Sequence, residues 1–461
     1  MSNYCRKKTW NGPNITFEVS TEIDCQGNVT GCVTSDGECP VSGVEVFFSS
    51  SIPDRISFNP NPATTDENGQ FSSMVTVQLL TSSTVATFLA STTVDNTPIS
   101  DTEFTTVGCQ VPAETVYVTN LLSNNVTAIN GQTNTVIKTL SVQSSPARVI
   151  VTPDGKFAFV ANVTAGSVSV IRVSDNTLVG DPIPTGARPV NLVSSPDSQF
   201  VYVYNATAKT VSVIEVSDTP SVIKNIDVGE GTGGPIPFKN IVITPNGQFV
   251  YVANTLDSTI SIIRTSDNLV IKTIAVQNVP LSIVSSPDSK RVYVVISNGT
   301  LTVIDTESQT VILDITSVIS SQNLAITPNG EFIYVIGSTQ FVGVIRTSDN
   351  TKIAEFQLSK ANFALDIVAS PNSDFVYIIA NQNFVAFGSY NVINVSTNTV
   401  MKQTQLGVNP QQMAINTDGS RLYVSNGDPD NVEVIQTSDN EVIANIFATG
   451  NGAQGIAVTP Q

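Results

Sequence analysis

Seven polar side chains recur at one offset along this chain and are the residues best placed to do chemistry together. Arg148, Asn191, Asn240, Ser282, Asn323, Asp366 and Gln412 each stand five residues before the first residue of a recurring turn (Pro, or Thr417 in one copy), with Gly455 at the eighth such place. A fixed offset in a repeat brings equivalent residues to one level of the fold. Amides and hydroxyls there supply donors and acceptors for a small polar ligand or an ion, with Arg148 and Asp366 as the ionisable members. The competing reading is a hydrated channel whose polar groups satisfy one another and water.

Histidine is absent. That removes Ser-His-Asp and Cys-His pairs, His-bearing metal sites and the commonest general base at neutral pH. The expectation is therefore a chain that is not an enzyme, with no catalytic residue, no cofactor and no metal.

The remaining chemical candidates are local. Cys5, Cys25, Cys32, Cys39 and Cys109 are the only cysteines and all fall in the first 110 residues. None forms a C-x-x-C pair, so disulfides are expected before a metal, and the odd count leaves Cys5 for a cross-link between chains. The stretch Gly229-Glu230-Gly231-Thr232-Gly233-Gly234 has phosphate-loop glycines but no following helix, and reads as an insertion between repeats. Asp428-Pro429-Asp430-Asn431 has the oxygens for calcium and the residues of a tight hairpin, and is read as the hairpin. Trp10 and the tyrosines form no stacking array for single strands of nucleic acid.

The elements that must hold the polar set are strands. Thr152-Pro153-Asp154-Gly155-Lys156-Phe157-Ala158-Phe159-Val160-Ala161-Asn162 is a turn followed by an alternating aromatic and valine run, and Thr244 to Asn254 repeats it. Eight such strands centre on Tyr117, Phe159, Tyr202, Tyr251, Tyr293, Tyr334, Tyr377 and Tyr423, at steps of 41 to 49 residues. Each is followed by a second strand (Val168 to Ile171), an Asp-Asn turn (Ser174-Asp175-Asn176), a third strand and a fourth that leads into the next turn.

That is the period of a four-strand propeller blade. The final strand, Gly455 to Pro460, has no successor in its repeat and is expected to complete the first blade, removing the sheet edge. The turns alternate between Asx-Gly (Gly155, Gly247, Gly330, Gly419) and Asx-Ser (Ser198, Ser289, Ser373), which favours duplication of a two-blade unit. An all-β, eight-bladed propeller is expected, with seven blades as the alternative. With Tyr117-Val118-Thr119-Asn120 spelling its namesake motif, the region 112–461 resembles the YVTN-type β-propeller repeat family. That resemblance implies a fold and no particular activity.

Before it, short alternating strands such as Val44 to Phe48, Arg55 to Phe58 and Val85 to Ala90 read as a β-sandwich over 40–111. Pro40 to Phe48, Thr64 to Phe71 and Val85 to Ser91 resemble the bacterial immunoglobulin-like domain of the invasin and intimin type. The resemblance implies a spacer or adhesive module with no catalytic residues. Residues 1–39 are expected to be a separate cysteine-bearing segment.

A net charge of −17 disfavours duplex nucleic acid and anionic lipid as partners. No apolar run reaches the length of a membrane span, and the basic start Met1 to Lys8 is followed by no apolar segment, so no signal peptide is read in this sequence. The functional expectation is a non-enzymatic bacterial surface protein, extracellular or on the cell or spore surface. In that reading the propeller binds a protein or carbohydrate partner, or the chain assembles through its N-terminal cysteines as a spore-coat or exosporium component. The alternative is a propeller enzyme, a lyase or cofactor-dependent oxidoreductase, with its site at the channel mouth.

Overall fold

The computed structural model describes residues 14–19, 22–23, 26–34, 45–51, 53, 56–67, 70–77, 84–94, 97–107, 114–231, 239–316, 318, 321–359, 363–381, 387–447 and 450–460. The chain divides into two compact units, Met1–Ala113 and Glu114–Gln461. The described residues contain strands and turns and no helix.

The first unit holds two sheets. Asn14–Val19, Gln26–Thr34, Gln70–Val77 and Ile56–Asn59 lie side by side in one; Glu22–Ile23, Thr97–Val107, Thr84–Val94, Glu45–Ser50 and Ala63–Thr64 form the other. Alternation decides the packing: Val46 and Phe48 turn inward while Glu45 and Phe47 face out. Phe48 stacks on Phe58 at 5.4 Å between ring centres, and Phe58 meets Phe88 edge-on at 5.6 Å, so the aromatic core joins the two sheets. The strands of residues 14–34, expected in a separate segment, belong to these sheets: Gln26–Thr34 pairs with Gln70–Val77. Of the cysteines only Cys32 lies in a described strand, and the expected disulfides fall outside the described residues.

In the second unit each repeat builds an antiparallel meander whose innermost strand precedes the turn. Repeat 3 shows the pattern: Pro189–Ser194, Phe200–Asn205, Thr210–Glu215 and Ser221–Asp227. The aromatic strand is buried on both faces, because sheets pack against both, whereas the outermost strand alternates exposed and half-buried. Repeats 7 and 8 share one seven-stranded sheet through Thr399–Ile415, which pairs with Phe387–Asn394 on one side and Arg421–Asp428 on the other. The final strand Ala453–Val458 pairs with Thr115–Asn120, Tyr117 opposite Ala457, as the sequence requires for closure. Apolar clusters lie between successive repeats, as with Tyr293 and Val303 against Leu324 and Val335. The same holds between last and first, where Tyr423 and Val434 meet Val116 and Val118.

Two side-chain devices register neighbouring repeats. On the outer side, a strand tyrosine donates to the Asn of the next repeat's turn: Tyr117 to Asn176 at 2.6 Å, Tyr202 to Asn268 at 2.9 Å and Tyr334 to Asn398 at 2.6 Å. On the turn face, the Gly and Ser of alternate repeats occupy the same left-handed conformation, φ 72° at Gly247 and 62° at Ser289. The two residues do different work. Ser198, Ser289 and Ser373 accept the backbone N–H of Asp154, Asn246 and Asn329 in the preceding repeat, at 2.9 to 3.0 Å. The glycines instead face the preceding proline, and a Cβ at Gly247 would lie 3.5 Å from Pro196.

Candidate functional site

All the polar residues expected to converge lie on or beside innermost strands, and most sit at a kink. The ladder slips by one residue between Pro146 and Arg148, Pro189 and Asn191, Pro280 and Ser282, Ser321 and Asn323, Ala364 and Asp366, and Pro410 and Gln412. Such a bulge rotates a side chain out of the regular alternation. Asn240 directly precedes the short strand Ile241–Ile243 and continues its ladder by accepting the N–H of Ala253 at 2.8 Å.

The amides are largely engaged with one another. Asn191 Nδ2 donates to Asn240 Oδ1 at 3.3 Å, Asn323 Nδ2 to Asp366 Oδ1 at 3.2 Å, and Gln412 Oε1 accepts from Ile456 N at 3.2 Å. Ser282 Oγ accepts Lys239 N at 3.1 Å. These bonds join the inner strands of repeats 3 and 4, 4 and 5, 6 and 7, and 8 and 1. The ring of free donors and acceptors is therefore mostly a seam, which is the competing reading for the amide members.

The charged members behave differently. Asp366 is buried, and its carboxylate accepts N–H groups from Ile367 at 2.9 Å and Met413 at 3.0 Å besides Asn323. Lys239 comes to it from repeat 4: its Nζ lies 3.8 Å from Asp366 Oδ1 and donates to Ile367 O at 3.1 Å. Arg148 of repeat 2 is buried. Burial pulls its guanidinium below the usual arginine range, while attraction to Asp366 works the other way. Asp366 of repeat 7 thus pairs with Lys239 of repeat 4, and the buried Arg148 of repeat 2 feels the same carboxylate's charge.

Lys239 was missed because the sequence argument tracked the residue five before the turn. It stands one earlier, where the other repeats have Ala147, Val190, Leu281, Gln322, Leu365, Gln411 and Gln454. Its being the one charged residue in that column was the available signal.

The other candidates resolve more simply. Asp428-Pro429-Asp430-Asn431 is a hairpin, with Asn426 opposite Asn431. Among the described residues no group of three or more His, Cys, Asp or Glu is placed to hold a metal. Residues 232–234 of the glycine-rich stretch lie outside the described residues.

Residues 112–239 match the family model "Lactonase, 7-bladed beta-propeller". Solved structures similar to this chain include dihydro-haem d1 dehydrogenase NirN in complex with DHE, at 16% identity and TM-score 0.63 over 75% of each chain. Apo AztD from Citrobacter koseri is similar at 14% identity and TM-score 0.60, over 76% of this chain and 98% of that one. Hydrazine synthase from Kuenenia stuttgartiensis is similar at 19% identity and TM-score 0.50, over 59% and 90%. No curated protein matches. At these identities the structures show the propeller fold and nothing finer; the YVTN-type and immunoglobulin-like resemblances gain no support from them.

The lactonase match overturns the expectation that this chain is not an enzyme. That expectation rested on the missing histidine, which was too strong a ground. Opening an ester needs a group to hold the developing oxyanion and a group to take a proton, and cations and carboxylates fill both roles.

Proposed function

We propose that the second unit takes a small carboxylate-bearing ligand at the cluster of Lys239, Asp366 and Arg148. The observation that carries this reading is Lys239, whose ammonium reaches the buried Asp366 and, 128 residues along the chain, Ile367 O while remaining partly open to solvent. The Lys239 side chain is 38% exposed while that of Asp366 is buried, so the ammonium is the group that meets an incoming anion. The test is calorimetric titration of γ-hydroxybutyrate into the protein and its Lys239→Met variant. Binding weakened about tenfold or more in the variant, roughly 1.4 kcal/mol, supports the reading; equal affinity overturns it.

The family match favours a second reading, in which the ligand is the product of ring opening. Water adds to the carbonyl of a cyclic ester as its proton passes to Asp366, Lys239 and Arg148 hold the oxyanion, and the ring C–O bond breaks as the departing alkoxide takes that proton back from Asp366, giving a hydroxy acid. Hydrolysis of γ-butyrolactone followed by base consumption, lost in Asp366→Asn, tests it; hydrolysis unchanged in that variant contradicts it.

The repeat count we propose is eight blades. Ser-to-backbone and Pro-on-Gly contacts alternate from one repeat junction to the next, and such alternation fits a ring with an even number of blades. The first unit, in this reading, is an immunoglobulin-like spacer that holds the propeller at a cell or spore surface, with cysteine cross-links. Extraction from fractionated spores with and without reductant tests the setting; identical recovery from both refutes the cross-link.

A further inference from the structure

The alternation of glycine and serine has a second product. Where serine occupies the turn, its hydroxyl closes the junction by bonding the preceding repeat. At two of the glycine turns, a groove opens beside the proline–glycine contact. A groove of about 410 Å³ lies between repeats 3 and 4 beside Gly247, and one of about 280 Å³ at the same place between repeats 7 and 8 beside Gly419. The two are four repeats apart and are lined by equivalent residues.

Each groove has a Phe-x-Tyr base. Phe200 is half-buried over the buried Tyr202, and Phe375 likewise over Tyr377, whose rings are 6.4 Å apart. The other glycine junctions lack that pair: repeat 5 has Arg291 at the Phe position, tied to Asp305, and repeat 1 has Thr115. Polar groups rim the base. Asp197, Asn246 and Ser266 do so in the first groove, Asn372, Asp418 and Ser438 in the second. Neither lining contains Lys or Arg, and each contains an aspartate. An anion is repelled there, and an apolar ligand would strip the rim of water without replacing its hydrogen bonds.

We propose that the two grooves are paired binding sites for a neutral carbohydrate. A sugar ring has one face of C–H groups to lay on the phenylalanine and an edge of hydroxyls to meet the carboxylate, amide and serine oxygens. This site is separate from the channel cluster and shares no residue with it. Two sites on one rigid unit bind a polymeric glycan more tightly than either alone, because the second contact is intramolecular.

The experiment titrates cellotriose, maltotriose and triacetylchitotriose into the full chain by calorimetry and saturation-transfer NMR. The blocking variants are Ser266→Arg and Ser438→Arg, both at exposed rim positions, so the fold is left intact. At least one trisaccharide binds with two sites per chain, each single variant halves that number, and the double variant abolishes binding. Lys239→Met leaves it unchanged, which separates failure here from failure at the channel. Binding by none of the three sugars overturns the proposal. So does an unaltered stoichiometry in either single variant or binding that survives in the double variant.

Discussion

Replacing tyrosine by phenylalanine at two equivalent places should shift stability in opposite directions. Tyr334 donates to Asn398 Oδ1 at 2.6 Å, whereas the hydroxyl of Tyr251 is buried with no hydrogen-bond partner. The difference follows from the next repeat's turn: Tyr334 meets Asn398, and the turn facing Tyr251 carries Gln309 in that left-handed position. Removing the Tyr334 hydroxyl forfeits a hydrogen bond and orphans a half-buried acceptor, about 1–2 kcal/mol, while removing that of Tyr251 relieves an unsatisfied donor worth a similar amount. Tyr334→Phe is expected to lower the urea midpoint and Tyr251→Phe to raise it. Gln309→Asn should stabilise the parent and have no effect in Tyr251→Phe, a cycle that isolates the pair. Urea unfolding followed by circular dichroism reads all of this, with the second unit's transition fitted separately because a two-unit chain need not unfold in one step. Shifts of the same sign for both phenylalanine variants would refute the reasoning.

Three further outcomes follow. Burial raises the tyrosine hydroxyls of the second unit, Tyr202 and Tyr377 to about 12; the unfolded chain releases those protons near 10, so stability is complete below that pH and falls as pH rises toward 12. Tyrosinate absorbance should then appear together with loss of circular dichroism; tyrosinate forming in a folded chain would contradict this. Deleting residues 450–461 removes the strand paired with Thr115–Asn120 and bares a sheet edge, so the truncated chain is expected to aggregate, as light scattering would show, unlike the full chain. Glu114→Ala leaves Tyr423 and Asn416 without the buried carboxylate that bonds both, which should cost about 2–3 kcal/mol, measured by urea unfolding.

The fold was legible because the turn, the buried aromatic and the closing strand each write a local rule into the sequence. Pro-Asx-Gly needs φ above zero at Gly247, and Phe249 to Asn254 must then run as a strand. The place of the innermost strand was legible too, since a bulge recurs on it at a fixed distance from that turn. Which polar groups are consumed there was not. Asn191 and Asn323 look like ligand groups in sequence, yet inter-repeat contacts engage them, and such pairing depends on how neighbouring sheets stagger. Lys239 was invisible for the reverse reason: it reaches across to repeat 7, a contact spanning 128 residues that no local pattern encodes. The grooves were half legible, as an alternation whose meaning came only when Gly247 and Gly419 were seen beside open space and Ser289 beside a closed junction.

The channel cluster is the central claim, and charge is what separates it from a hydrated seam. Calorimetry of γ-hydroxybutyrate against its neutral isostere γ-hydroxybutyramide, on the unmodified protein, tests it most directly. The account requires the carboxylate to bind and the amide not to; equal binding of the two, or binding of neither, would contradict it.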